Sequence, residues 1–194
     1  MIAILKYNAG NTRSVENAVK QLGYEVLVTD CKEALTKAAK VIIPGVGEAS
    51  SAMKYLQQNG LDTVVKSLTQ PVLGICLGMQ LLCEHTEEGN TTGLGIFPLR
   101  VKKFPHGNIV PHMGWNNFAE HSVKGPLFQN VAFYNDCYFV HGYYAETGPE
   151  TTAVTYYAVP FSAALQKDNF YGTQFHPEKS AATGMQILEN FLRL

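Results

Sequence analysis

Cys76 stands between Gly74 and Gly78, directly after the apolar run Val72 to Ile75 that Pro71 opens. The run reads as a buried strand, and Met79, Leu82 and Cys83 then recur at helical spacing, so the cysteine is expected at a strand-to-helix turn. Glycines two residues to either side permit a turn too tight for a Cβ, the spacing of a nucleophile elbow, and push the side chain out of the sheet. At a helix N-terminus the unpaired N–H groups and the helix dipole favour the anion and draw a thiol down from ~8.5. Taken alone, Cys76 reads as readily as a small buried hydrophobe. A second stretch changes the balance. In Gly172-Thr173-Gln174-Phe175-His176-Pro177-Glu178, read as a short strand, the histidine and the carboxylate lie two residues apart and face the same way, with Pro177 fixing the backbone between them. A bare His-Pro-Glu triplet more often marks a turn. Beside an elbow cysteine it supplies a base and the group that orients it, so the chemistry expected is covalent catalysis with the thiol as nucleophile.

The elements that must bring these segments together read as a single domain over residues 1–194. Ile2 to Lys6 is expected as the first parallel strand, with the loop Tyr7 to Asn11 leading to a helix from Arg13 to Leu22 that Gly23 closes. A strand at Glu25 to Thr29, a short helix around Glu33 to Ala38 and a strand at Val41 to Ile43 complete a βαβαβ alternation, which argues a doubly wound sheet. After the third strand comes Pro44-Gly45-Val46-Gly47. As the start of a dinucleotide fingerprint it is a partial match, with Ser50 where the last glycine belongs. As a strand-end loop with two glycines it can aim an N–H at a developing oxyanion, and a plain turn is the alternative. Helical spacing returns in Met53, Leu56 and Gln57 and in Leu61, Val64, Val65 and Leu68, so Cys76 falls at a strand's carboxyl end, where open α/β sheets place their ligands. Gln80 lies one turn further on the same helix face. Beyond Gly89 the pattern shifts to strands at Gly93 to Ile96, Leu99 to Phe104, Phe133 and Tyr138 to Ala145, read as an added antiparallel layer. A hairpin turning at Lys167-Asp168-Asn169 and a last helix from Ala182 to Leu192 end the chain.

With 46% apolar residues, 16% charged and a formal net charge of −1, the chain has no electrostatic footprint for nucleic acid or an anionic membrane. The apolar run Ile2 to Leu5 stops at Lys6, too short for a signal sequence or a span, so a cytoplasmic location is expected. The four cysteines, Cys31, Cys76, Cys83 and Cys137, form no Cys-x-x-Cys pair, so neither a disulfide framework nor a metal site is indicated.

The two long motifs Gly-Ile-Cys-Leu-Gly-Met-Gln and Gln-Phe-His-Pro-Glu resemble the signature of the class I glutamine amidotransferases. That resemblance implies a flavodoxin-like α/β fold and hydrolysis of L-glutamine without a cofactor or metal, with Cys76, His176 and Glu178 as the catalytic set. It also implies oxyanion donors from the loop at Val46 and Gly47 and from the backbone of Leu77. Substrate contacts are implied from Gly45, Gln80, Gly142, Tyr143 and Glu88, the last toward the ammonium group; Glu88 as a solvated loop carboxylate is the alternative. The strings Tyr7 to Asn11, Arg13-Ser14-Val15, Pro111 to Asn116 and Tyr138 to His141 resemble one branch of the family. Its glutaminases pair with a (β/α)8-barrel cyclase that receives ammonia in histidine biosynthesis, which implies a heterodimer with His112, Trp115 and Tyr138 at the interface. Asn8 and Ala9, Glu48-Ala49 and Gly142 depart from the family pattern without removing a catalytic group. Other glutaminases of this architecture, such as that of pyridoxal phosphate synthesis, γ-glutamyl hydrolases and a non-catalytic binding module are the competing readings.

Overall fold

Along Ile2–Leu5 (β1) every residue is buried, and the alternation of a strand sends Ile2 and Ile4 into one apolar cluster and Ala3 and Leu5 into another. A strand apolar on both faces needs a layer of helices on each, and the chain supplies them in alternation. The computed structural model describes residues 1–8 and 10–194; Ala9, in the loop expected after the first strand, lies outside them. Helix α1 (Thr12–Gln21) is followed by β2 (Val26–Thr29), α2 (Lys32–Lys37), β3 (Lys40–Ile43), α3 (Ala49–Gln58), α4 (Leu61–Ser67), β4 (Val72–Ile75) and α5 (Leu77–Leu82). The second half contributes β5 (Cys83–Thr86), β6 (Thr91–Thr92), β7 (Phe97–Lys103), β8 (His112–Asn116), β9 (Cys137–His141), β10 (Tyr143–Ala145), β11 (Thr151–Tyr157), β12 (Val159–Lys167), β13 (Phe170–Thr173) and α6 (Ala181–Leu192).

The main sheet runs β11-β12-β13-β4-β3-β1-β2, parallel from β13 to β2 and antiparallel at the β11-β12-β13 end. Two neighbours matter for chemistry. β4, which ends at Cys76, is flanked by β3, which ends at the Pro44–Gly47 loop, and by β13, which leads to His176. Three segments far apart in sequence thus end side by side at one edge of the sheet. The apolar cluster holding Ala3 and Leu5 takes residues from α2 to α5 and from β7 of a small four-stranded sheet, while the cluster holding Ile2 and Ile4 takes α1 and α6.

Strands outside the main sheet form the orders β10-β7-β5-β6 and β8-β9, an added layer that is antiparallel except for the β5-β7 pairing. Gly93 to Ile96 is not a strand. Its N–H groups serve the end of α5, with Leu94, Gly95 and Ile96 donating to the carbonyls of Leu81, Cys83 and Leu82. Phe133 sits in a turn rather than a strand. The expected strand over Tyr138 to Ala145 breaks at Gly142, which lets β9 pair with β8 and β10 pair with β7.

Candidate active site

Cys76 adopts φ 52° and ψ −107° between β4 and α5, a conformation that a residue with a Cβ holds only when its surroundings force it. The forcing is backbone approach. A Cβ on Gly78 would lie 2.1 Å from the carbonyl oxygen of Ile43, and one on Gly45 would lie 2.4 Å from the amide nitrogen of Gly78. Glycine at both places lets α5 start directly against the end of β3. The Cys76 N–H donates to the Thr173 carbonyl of β13 at 2.7 Å, and its own carbonyl accepts the N–H of Gln80 at 3.1 Å. The side chain is buried at 7% exposure yet borders a cavity.

His176 follows β13 by three residues, but the carboxylate does not reach it by strand alternation. Pro177–Lys179 form a single 3-10 turn, and from it Glu178 Oε1 accepts from His176 Nδ1 at 2.8 Å. Proline ends the strand and fixes the turn, so the pairing is set by the turn rather than by extended backbone. Both side chains are fully buried. Burial opposes the imidazolium, but the neighbouring Cys76 sulfur and the Glu178 carboxylate outweigh it and raise the His176 ring to about 10. Nδ1 is committed to Glu178, while among the described residues Nε2 is buried without a hydrogen bond of ordinary geometry. A charge-assisted histidine beside a sulfur is an arrangement able to give and take a proton at a thiol.

The cavity over Cys76 is small, about 210 Å³. Its walls include Gly45, Val46, Gly47, Leu77, Gln80, Glu88, Gly142 and Tyr143, so every residue the sequence suggested for oxyanion or substrate contact meets in one place. A larger depression near His121 and Phe133, about 530 Å³, contains none of these groups. The Val46 carbonyl accepts the Gly10 N–H at 2.7 Å, which sets the direction of the Val46–Gly47 peptide. Gly47 has φ +155°, and a Cβ there would meet nothing closer than 3.6 Å, so the demand for glycine is conformational. The Tyr7 hydroxyl donates to the Pro44 carbonyl at the base of the same loop. Glu88 is half-buried and accepts from the Ala49 N–H at 2.9 Å; burial raises its carboxyl above the usual range, a shift that a cation seated against it would oppose. Glu48 caps α3 by accepting from the N–H groups of Ser50 and Ser51.

The three residues suggested for a partner interface separate. On β8 Trp115 is 56% exposed, its ring edge-on to the half-buried Tyr138 at 5.9 Å. His112 turns inward and is 4% exposed, because strand alternation that points Trp115 outward sends the residue three before it to the opposite face. Several site residues escaped the sequence. Asn11 donates to Glu178 Oε1 from the start of α1, and Ser180 ties the His176 carbonyl to the Tyr138 N–H. Gln174, inside the second motif, lies against the sulfur.

His112 opens a chain that also went unseen. His141 Nδ1 donates to the Tyr143 carbonyl at 2.7 Å, so its Nε2 must accept, and it meets His112 Nδ1 at 3.0 Å. Burial lowers His112 to about 4 and His141 to about 3. Both values lie below those of the unfolded chain, so the unfolded state binds more protons in mild acid. The stabilisation is complete above about pH 6.5 and is lost as pH falls through about 4 for His112 and about 3 for His141, with a slope of roughly 1.4 kcal/mol per pH unit for each fully excluded proton. His176 has the opposite sign: its share is complete below about 6.5 and is lost as pH rises through about 10. Urea unfolding across pH 4 to 10.5 should therefore show a maximum near neutrality, and His112→Phe should flatten the acid limb. An unchanged acid limb in a folded variant would remove His112 from the cause.

A strained elbow cysteine beside a buried histidine–carboxylate pair, at the carboxyl edge of a doubly wound sheet, is the arrangement of a thiol-dependent amidase. The family model described as "Glutamine amidotransferase class-I" matches residues 3–194. The chain belongs to the class I glutamine amidotransferases and, within them, to the family of HisH subunits. A Bacteroides fragilis protein named imidazole glycerol phosphate synthase subunit HisH is 54% identical over 196 residues, covering 100% of this chain and 99% of the relative. A Pasteurella multocida protein of the same name is 45% identical over 98% of this chain and 96% of its own length. Among solved structures, one described as a glutamine amidotransferase superposes with TM-score 0.74 at 19% identity over 99% of this chain and 97% of its own, a likeness of fold. A chain of PurLQS from Thermotoga maritima gives 0.71 at 16% identity over 99% and 97%.

Proposed function

We propose that this chain is the glutaminase subunit of an imidazole glycerol phosphate synthase, releasing ammonia from L-glutamine for a cyclase subunit that makes imidazole glycerol phosphate and AICAR. The observation that carries the reading is the cavity that gathers Cys76 with Gln80, Glu88 and the Gly45–Gly47 loop, at a size suited to one amino acid. In the first half-reaction the Cys76 thiolate adds to the carboxamide carbon, and N–H groups at Gly47 or Val46 and at Leu77 receive the oxyanion. The C–N bond then breaks, with His176 giving its Nε2 proton to the departing ammonia. In the second half the neutral ring takes a proton from water, the water oxygen adds to the γ-glutamyl thioester, and the C–S bond breaks to restore thiolate and release glutamate. Glu178 holds the ring through both halves. Glu88 receives the substrate ammonium, and the main chain of Gly142 and Tyr143 its carboxylate end.

The partner in this reading is a (β/α)8-barrel cyclase, bound as a heterodimer in the cytoplasm. It covers the face where Trp115 and Tyr138 stand beside exposed Met113; such aromatic anchors carry a large share of binding energy. Among the described residues no helix is long and apolar enough to cross a membrane. The test is ammonia release by the chain alone, with the cyclase, and with cyclase plus its nucleotide ligand. Activity should rise at each step, and turnover indifferent to cyclase and nucleotide would favour another glutaminase.

Stimulation then comes from turning over the Val46–Gly47 peptide, which must first leave the Gly10 N–H. Gly47→Val should leave iodoacetamide alkylation of Cys76 at the wild-type rate and abolish stimulation, because a β-branched side chain at this position narrows the φ range through which the peptide must rotate. Stimulation that survives this change would rule the loop out as the switch.

A further inference from the structure

Gln174 is wholly buried, borders no part of the cavity, and makes two side-chain contacts that fix its orientation. The Tyr143 carbonyl can only accept, so Gln80 must present its NH2 there, at 2.9 Å. The same nitrogen reaches Gln174 at 2.9 Å, and with both its hydrogens as donors it requires an acceptor, so Gln174 faces it with Oε1. The Gln174 NH2 is thereby turned to the Cys76 sulfur, 3.5 Å away. His141 Nδ1 also donates to the Tyr143 carbonyl, at 2.7 Å.

We propose that Gln174 is a positioning residue for the nucleophile. Its amide N–H, held in direction by Gln80, donates to the Cys76 thiolate and both aims the sulfur and stabilises its charge. The proposal deepens the amidase reading and rests on Cys76 as the nucleophile. A donor to an anion helps in both halves of the reaction. It favours the thiolate before S–C bond formation, and it receives the thiolate again when the S–C bond of the thioester breaks and the electron pair returns to sulfur. No proton is transferred from the amide. Gln174 does not itself line the cavity, and the Tyr143 carbonyl still holds the Gln80 side chain, so Gln174 should affect turnover more than substrate affinity.

The experiment is the pH profile of Cys76 alkylation by iodoacetamide, followed by mass spectrometry of the Cys76 peptide, alongside kcat and KM for glutamine. Gln174→Met keeps length and volume and removes the donor. Its half-maximal alkylation should move up by about one pH unit, with kcat about tenfold lower and KM within about twofold of wild type. Gln80→Met frees the Gln174 amide to turn over and should move the profile in the same direction by less, so it carries the test if Gln174→Met does not fold. A folded Gln174→Met protein with the wild-type profile would overturn the proposal, as would a folded Gln80→Met protein with that profile where the first variant fails to fold. Wild-type protein that alkylates with the expected profile but turns over no glutamine in the presence of the cyclase and its nucleotide ligand would instead overturn the amidase reading.

Discussion

Cys76→Ala should lower glutamine turnover by at least ~10⁴-fold, with or without the cyclase, while the protein keeps its fold. The loss is large because in the proposed mechanism the sulfur makes the first bond to the carboxamide carbon: without it the histidine, the carboxylate and the oxyanion donors would face a substrate with no nucleophile. Removing one buried sulfur should disturb stability by about 1 kcal/mol, since the walls of the cavity are held by backbone contacts at Gly78 and Gly45 rather than by the thiol. Circular dichroism melts beside an ammonia assay separate the two effects. Substantial turnover by a folded Cys76→Ala protein would show that another group does the chemistry.

Glu178→Gln should lower kcat by about 10²- to 10⁴-fold. The carboxylate oxygen Oε1 takes both the His176 Nδ1–H and the Asn11 amide, and the other oxygen is buried without a partner among the described residues. A glutamine side chain preserves shape and at least one acceptor, but removes the charge that helps hold the His176 proton at about 10. The variant should therefore lose activity at neutral pH through a histidine that releases its proton too early, and the alkaline limb of its pH–rate profile should move to lower pH. Equal activity with an unmoved limb would mean that the carboxylate only fills space.

The elements that carry Cys76 were readable because their burial leaves a mark in the chain. The all-apolar stretches of β1 and β4, the helical spacing after Cys76 and the glycines around it each reflect a constraint that only certain residue types meet. The pairing of His176 with Glu178 was readable, but its geometry was not, since proline converts the expected strand into a 3-10 turn. Gly93 to Ile96 reads as a strand because it is apolar, yet its donors are consumed by the end of α5. The edge strand β11 left no mark, as its first three residues are buried in succession and a bulge interrupts its pairing. Least legible were the polar supports. Asn11 reaches Glu178 across 167 positions of sequence, and Gln174 and Gln80 across 94, so pairings of this kind are set by topology rather than by local pattern.

The central claim is that the sulfur of Cys76 attacks the glutamine side chain. The most direct measurement is labelling with a glutamine analogue carrying an electrophilic diazoketone in place of the carboxamide, followed by peptide mapping. One label per chain is predicted, on Cys76, slowed by excess L-glutamine and accompanied by complete loss of ammonia release. Loss of activity with the label on Cys31, Cys83 or Cys137, or full labelling of Cys76 with turnover intact, would contradict it.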